Sequence, residues 1–412
     1  MVNRSDAPTV AATAVLIVTL VLVSLVPAAE QFSAQIKVDD LSFYQAPIAT
    51  APYPLVNTKE IRNVILCIGD GMGLSQITLA SIKAGGLSGR LCMERMPVTG
   101  LVRTYSANSR VTDSAAAGTA MATGIKTNNG MIGVAPSEQA YQTILEAAKA
   151  KGMATGLVVT STITHATPAS FASHVTSRAS EAAIADQLIA NGVNVLFGGG
   201  RKYFLPKSDP NSARKDDKDL IAEARQAGYT YVTADRKLRS IRSSHVLGLF
   251  QFDALTTAPP EPSLASLTRK AIQVLRKVKG RSGNRRPGFF LMVEGSQIDW
   301  ACHQNDPKHA IRQTLLFDQA VQAAVDFALR DGHTLVIVTA DHETGGLTLL
   351  EGSKTSAEPG ANWSTKGHTG TPVPIGAMGP GAAVFAGLQE NTDIPKKIAR
   401  LLGIAPFPRP IE

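Results

Sequence analysis

Asp299 and His303 lie four residues apart, one turn of a helix, so a carboxylate and an imidazole could grip one cation from the same face. They close the segment Glu294-Gly-Ser-Gln-Ile-Asp299-Trp-Ala-Cys-His303, the richest of the sequence in metal-ligating side chains. Alone, such a pair is an ordinary polar helix start. Further groups add weight to it. Asp70 stands in Gly69-Asp70-Gly71-Met72-Gly73, Asp341, His342 and Glu343 follow one another, and His165 precedes Ala166-Thr167. Asp with His suits zinc, whereas the oxygens of Asp, Glu and Thr suit magnesium. So many carboxylates in one crevice would repel one another without cations between them.

Val111-Thr112-Asp113-Ser114 opens a run of small residues, Ala115-Ala-Ala-Gly-Thr-Ala-Met-Ala-Thr123. Small side chains let the start of a helix approach a neighbouring site closely. Backbone N–H groups and the helix dipole there favour a phosphate or an alkoxide. On this motif alone Ser114 reads equally as a nucleophile and as a helix cap.

Each group follows a short apolar run. Residues 63–68 (NVILCI) precede Asp70, 289–293 (FFLMV) precede Glu294, 334–339 (TLVIVT) precede Asp341, and 155–160 (TGLVVT) lie a few positions before His165. Together with 193–197 (VNVLF), these runs are continuous and apolar, as strands buried on both faces are. Helical patterns fall between them, near 75–84, 114–123, 140–151, 180–190, 217–227, 263–279 and 308–330. The alternation predicts an α/β fold, a mostly parallel central sheet with helices on both faces. Sites in such sheets form at the carboxyl ends of strands, and four strands here deliver ligands toward one edge.

The chain of 412 residues is 44% hydrophobic and 5% aromatic, so its core must rest mainly on Val, Ile, Leu and Ala. A formal charge of +8 favours anionic partners without choosing among a phosphate ester, nucleic acid and a membrane surface. Eight Lys/Arg crowd 269–286, but Ile272, Leu275 and Val278 fit one helix face among them. The basic residues then read as a solvated face, and no specific nucleic-acid partner is expected. Three cysteines allow at most one internal disulfide, and no Cys-x-x-Cys pair exists, which excludes a cysteine zinc knot. Cys67 and Cys92 read as small buried hydrophobes. Arg4 precedes an apolar run from Val10 to Ala29, a secretory signal or an uncleaved anchor. Both readings predict export, periplasmic or extracellular, with a membrane partner only if the segment stays uncleaved. Residues 1–29 thus stand apart, 30–60 read as an extended lead-in, and 61–412 as the catalytic domain.

Six ordered segments carry a resemblance. Gly69-Asp-Gly-Met-Gly73, Thr112-Asp-Ser-Ala-Ala116, His174-Val-Thr-Ser-Arg178, Val293-Glu-Gly-Ser-Gln-Ile-Asp299, Thr339-Ala-Asp-His342 and His368-Thr-Gly370 resemble the motifs of the alkaline phosphatases. The resemblance runs from about Asn63 to Leu402 and includes Leu196-Phe-Gly-Gly-Gly-Arg-Lys-Tyr-Phe204. It implies an alkaline-phosphatase-like sheet and hydrolysis of phosphate monoesters through a phosphoserine on Ser114. It also implies two zinc sites and a third site, usually magnesium. By position, Asp299, His303 and His368 match the first zinc site. Asp70, Asp341, His342 and the Ser114 oxygen match the second. Asp70 bridges to the third, with Thr167 and Glu294. Arg178 matches the arginine that holds the phosphate, and its planar fork suits two phosphate oxygens. Two metals about 4 Å apart can clamp both apical oxygens of an in-line displacement. Family members are commonly homodimers, so a homodimer is implied here.

Two positions depart from the best-known bacterial pattern. His165 stands where that pattern has an aspartate, and Trp300 where it has a lysine; other members carry these types. Imidazole suits zinc or cobalt better than magnesium, so Zn2+ or Co2+ competes with Mg2+ as the third ion, with His165 among its ligands. The stretch between His342 and His368 is short for the family, which predicts a small insertion over the entrance. Residues 351–367, polar and rich in Gly, Pro and Ser, read as a loop. Phosphodiesterases and sulfatases of the same superfamily share the two-metal plan. Ser114 with Arg178 favours the monoesterase, because a monoester dianion leaves more free oxygens for a guanidinium to hold. A dead scaffold that only binds is disfavoured, since every expected ligand position is filled.

Overall fold

A strand buried on both faces must find cover on both, and the apolar runs of this chain do so by pairing side by side. The computed structural model describes residues 38–55, 60–278, 288–350 and 360–412. All of them fall within one unit, Phe32–Glu412. The strands are β1 (Asn63–Gly69), β2 (Val98–Arg103), β3 (Ala154–Thr162), β4 (Val195–Gly199), β5 (Thr230–Val232), β6 (Val246–Leu249), β7 (Phe289–Gly295) and β8 (Thr334–Ala340). Four short ones follow, β9 (Glu343–Thr344), β10 (Leu347–Leu349), β11 (Ala361–Trp363) and β12 (His368–Thr369), then β13 (Val373–Met378) and β14 (Gly387–Glu390). Ten of them form one sheet in the order β14-β2-β13-β8-β1-β7-β3-β4-β6-β5. Only β13 runs against its neighbours, β8 and β2; the other pairings are parallel. Every residue of β1, β7 and β8 is buried. This is the expected mostly parallel α/β sheet.

The helices close the crossovers. They are α1 (Leu74–Gly85), α2 (Ser114–Thr123), α3 (Ile144–Ala150), α4 (Ala166–Ala172), α5 (Glu181–Asn191), α6 (Leu220–Gln226), α7 (Leu264–Leu275), α8 (Gln297–His303), α9 (Pro307–Asp331) and α10 (Asp393–Leu401). The longest, α9, starts where Asp306 accepts from the His309 N–H and Pro307 occupies the first turn, and stops at the left-handed Gly332. The helix expected over 140–151 begins only at Ile144, because Thr143 and Glu146 form a capping box there. The one expected over 263–279 ends at Leu275. Its Arg269, Arg276 and Lys277 are exposed while Ile272 and Leu275 are buried, as a solvated basic face requires. Cys67, Cys92 and Cys302 are all buried and free.

The second half of the expected lead-in is docked, not loose. Residues 38–55 form no helix or strand, yet they lie along α9. Tyr44 Oη donates to Asp318 Oδ2 at 2.6 Å, Gln319 Nε2 donates to the Phe43 carbonyl at 2.6 Å, and Arg312 Nη1 donates to the Asp40 carbonyl at 3.0 Å. Buried Asp318 also accepts from the N–H groups of Cys92 and Met93. The apolar run over 10–29 and most of the 351–367 loop lie outside the described residues. The close of that loop is β11, paired antiparallel with β10. Among the described residues no helix is long and apolar enough to cross a membrane.

Candidate active site

Parallel register puts the strand ends level. Gly69 pairs with Gly295 and with Ala340, and Glu294 pairs with Ile68 and Val159. Asp70, Glu294 and Asp341 therefore arrive at one carboxyl edge from three adjacent strands. The turn after β1 then meets α8. At Gly71, φ +71°, a Cβ would fall 2.7 Å from the Asp299 Cα, so only glycine permits the approach. Asp341 Oδ1 secures this turn by accepting from the N–H groups of Gly71 and His342. β12 pairs with β9, setting His368 opposite Thr344 and returning its imidazole to the same edge.

Three clusters result, each with ligand atoms within 4.8 Å of one another: Asp299, His303 and His368; Asp70, Asp341 and His342; Asp70, His165 and Glu294. In the first, His303 Nε2 lies 3.2 Å from Asp299 Oδ2 and 3.1 Å from His368 Nε2. In the second, His342 Nε2 lies 3.2 Å from Asp341 Oδ2 and 3.5 Å from Asp70 Oδ1. The outer nitrogens of the first pair are oriented by backbone carbonyls, His303 Nδ1 by Lys366 and His368 Nδ1 by Thr112. Such contacts fix ring orientation in metal sites. The hydroxyl of Thr167, near Glu294, completes the third group. All the residues expected as ligands are thus brought together.

The electrostatics ask for cations. Asp70 Oδ1 and Oδ2, Asp341 Oδ2 and Glu294 Oε1 are buried without a hydrogen-bond partner. Burial and the charge of Asp341 push Asp70 well above the usual carboxylate range. Burial pushes Glu294 up to about 8 and, with Asp299 beside it, Asp341 up to about 6. For Asp299 burial pulls upward too, but the hydrogen bond to His303 and the charge of His368 hold it below its usual range. The same pair lifts His303 to about 9 against the effect of burial. Burial and His368 depress His342, and burial with Arg178 lowers His165 to about 3. The neutral imidazoles of His165 and His342, beside the unpartnered oxygens of Asp70, Glu294 and Asp341, form a donor set that fits divalent metals.

Ser114 is the first residue of α2, buried, with Oγ 3.3 Å from His342 Nε2. The cap is its neighbour: Asp113 accepts from the Ala116 N–H at 2.9 Å, which leaves the serine hydroxyl free of that duty. Asp113 also accepts from Arg178 Nη1 at 3.1 Å, and Arg178 Nη2 donates to His165 Nε2 at 3.1 Å. Trp300 stands edge-on to His165, with ring centroids 6.0 Å apart. Sequence reasoning assigned no role to Asp113 or to Thr344, whose hydroxyl bridges Asp299 and His342 Nδ1. Asp113 preceding a serine at a helix start was a readable capping signal; Thr344 gave none.

Comparison with known proteins agrees with this geometry. A sequence model of the alkaline phosphatase family matches residues 61–362. Alkaline phosphatase 4 of Bacillus subtilis is 37% identical, over 83% of this chain and 89% of its own. The structure of the alkaline phosphatase from the Antarctic bacterium TAB5 superposes with a TM-score of 0.76 at 38% identity, covering 86% of this chain and all of that one. A variant of that enzyme, one histidine replaced by aspartate and Mg bound in its M3 site, superposes with a TM-score of 0.74 at the same identity and coverage. With its ligand groups at one sheet edge and these likenesses over most of its length, the chain belongs to the alkaline phosphatase family, metal-dependent hydrolases of phosphate monoesters.

Proposed function

We propose that hydrolysis proceeds by two displacements at Ser114, with a phosphoserine between them. The observation that carries this is the Ser114 hydroxyl, buried at the start of α2 and 3.3 Å from His342 Nε2, beside a guanidinium anchored on Asp113. Ser114 Oγ attacks phosphorus as the ester O–P bond breaks, and the alcohol leaves from the opposite side. The N-terminal amides of α2 favour the phosphate charge. Arg178, restrained by Asp113, holds two phosphate oxygens through both displacements. Water then attacks the phosphoserine, releasing phosphate and restoring the hydroxyl. Divalent cations held by the first two clusters would neutralise the carboxylates, lower the pKa of the seryl hydroxyl and of water, and offset charge on the departing oxygen. Zinc suits both of these sites, each of which mixes imidazole with carboxylate.

Asp70, His165, Thr167 and Glu294 would hold the third ion. Magnesium suits three of them and zinc or cobalt suits the imidazole. Magnesium in the histidine-to-aspartate TAB5 variant supports the view that the residue at this position steers metal choice. The apolar N-terminal run supports export, and family habit supports a homodimer. Side-by-side hydrolysis of a chromogenic phosphate monoester, a diester and a sulfate ester, with zinc and magnesium present, tests the activity. The monoester should react fastest by a wide margin, and acid quenching should trap phosphate on Ser114. A faster diester or sulfate, or phosphate trapped elsewhere, would overturn the reading.

A further inference from the structure

The contact between Arg178 and His165 is not fixed by either residue's own element. His165 precedes α4, and Arg178 lies in the stretch before α5. Glu181, first residue of α5 and three beyond Arg178, ties the start of α5 to the turn before His165. Its Oε2 accepts from Thr162 Oγ1 at 2.9 Å and from Thr164 Oγ1 at 2.6 Å, in the turn that leads into His165. Its Oε1 accepts from Tyr203 Oη at 2.8 Å. Tyr203 belongs to the segment Leu196–Phe204, which takes no part in the site described above. The glycines of that segment have a steric reason. A Cβ at Gly199 would fall 1.8 Å from the Asp253 carbonyl oxygen, and one at Gly200, φ +89°, 2.8 Å from the Thr162 Cβ. They let the chain after β4 fold against Thr162 and bring Tyr203 to Glu181. The β3–β4 pairing shifts register between Val158 and Thr162, so the turn before His165 needs this outside support.

We infer that Glu181 is a positioning residue, which with Thr162, Thr164 and Tyr203 sets the third-metal ligand His165 against the phosphate-holding Arg178. The inference rests on the roles proposed above for those two residues. Simple helix capping would not use both carboxylate oxygens on hydroxyls outside α5.

The test compares wild type, Glu181→Ala, Arg178→Ala and the double variant, each metal-loaded. Three quantities are read: phosphate affinity by calorimetry, cobalt affinity at the His165 site by visible absorption with zinc in the other two, and melting temperature. Glu181→Ala should weaken both affinities about five- to tenfold, the range expected from losing partly buried charge-assisted hydrogen bonds. Its effect on phosphate should vanish in the Arg178→Ala background, as coupling through the guanidinium requires. Tyr203→Phe, a milder change, should move both affinities the same way. A lower melting temperature with both affinities within about twofold of wild type would make Glu181 merely structural. Unchanged phosphate affinity in Arg178→Ala would instead overturn the site reading beneath it.

Discussion

Removing the Ser114 hydroxyl leaves the helix cap and the carboxylate and imidazole ligands in place, because Asp113 caps α2 and the three clusters each hold three Asp, Glu or His side chains. Ser114→Ala should keep its metals and lose most turnover. Metal analysis beside kcat checks this, and wild-type turnover at full metal content would refute the nucleophile. Arg178→Ala should weaken inhibition by inorganic phosphate by tens-fold, since a charge-assisted bidentate contact contributes roughly 1.5–3 kcal/mol. The measurement is the phosphate inhibition constant, which an idle guanidinium would leave unchanged. At the third site, His165→Asp replaces a neutral nitrogen with a charged oxygen and should raise the preference for magnesium. Dialysis against mixed zinc, cobalt and magnesium followed by metal analysis decides it. Trp300→Lys, next to Asp299, should tighten product phosphate by adding a cation, again read from the inhibition constant.

At the scale of elements, legibility followed burial only where the buried run was long: sequence reasoning missed β6, buried but four residues long. β1, β7 and β8, covered on both faces, declared themselves as unbroken apolar runs, and the ligands at their ends came with them. β2 is half exposed and glycine-interrupted, and β13 and β14 carry proline, glycine or polar residues, so no run marked them. His368 sits on a two-residue strand that local pattern cannot show, and only the family resemblance reached it. Helix α4 is buried along its whole length and so shows no polar face, and sequence reasoning missed α10, though its Ile394, Ile398 and Ala399 share a buried face. Inside α9, His309 is buried and its Nε2 accepts from Gln313 Nε2 at 2.9 Å. Burial lowers this imidazole to about 4, against an opposing pull from Asp306. The unfolded chain therefore binds the proton first as pH falls from about 6.5 to about 4, and the folded state loses up to about 3 kcal/mol across that window. His309→Gln should flatten this loss relative to wild type. Urea midpoints at pH 7 and pH 4 give the comparison, and parallel pH slopes for the two proteins would refute it.

For the whole molecule, the strap over 38–55 holds α9 through polar pairs distant in sequence, chiefly Tyr44 with Asp318. Burial raises this carboxyl to about 6, and three donors satisfy it. Tyr44→Phe should cost about 1–3 kcal/mol of stability by leaving a buried acceptor short of one donor. The fall should register as a lower melting temperature with unchanged kcat, because no described hydrogen bond or ion pair joins the strap to the expected ligand residues; a loss of kcat at full stability would contradict this. The sheet order has a further consequence. β1 lies between β7 and β8, so Asp70, made early, meets Glu294 and Asp341, and Asp299 meets His368, only when almost all of the chain exists. Such distant pairings close late in folding. On the proposed site, a chain halted or clipped before His368 would carry Ser114 and Arg178 but an incomplete set of ligands. Activity should then arrive only with the closing stretch of the polypeptide, and a truncated product should be inert.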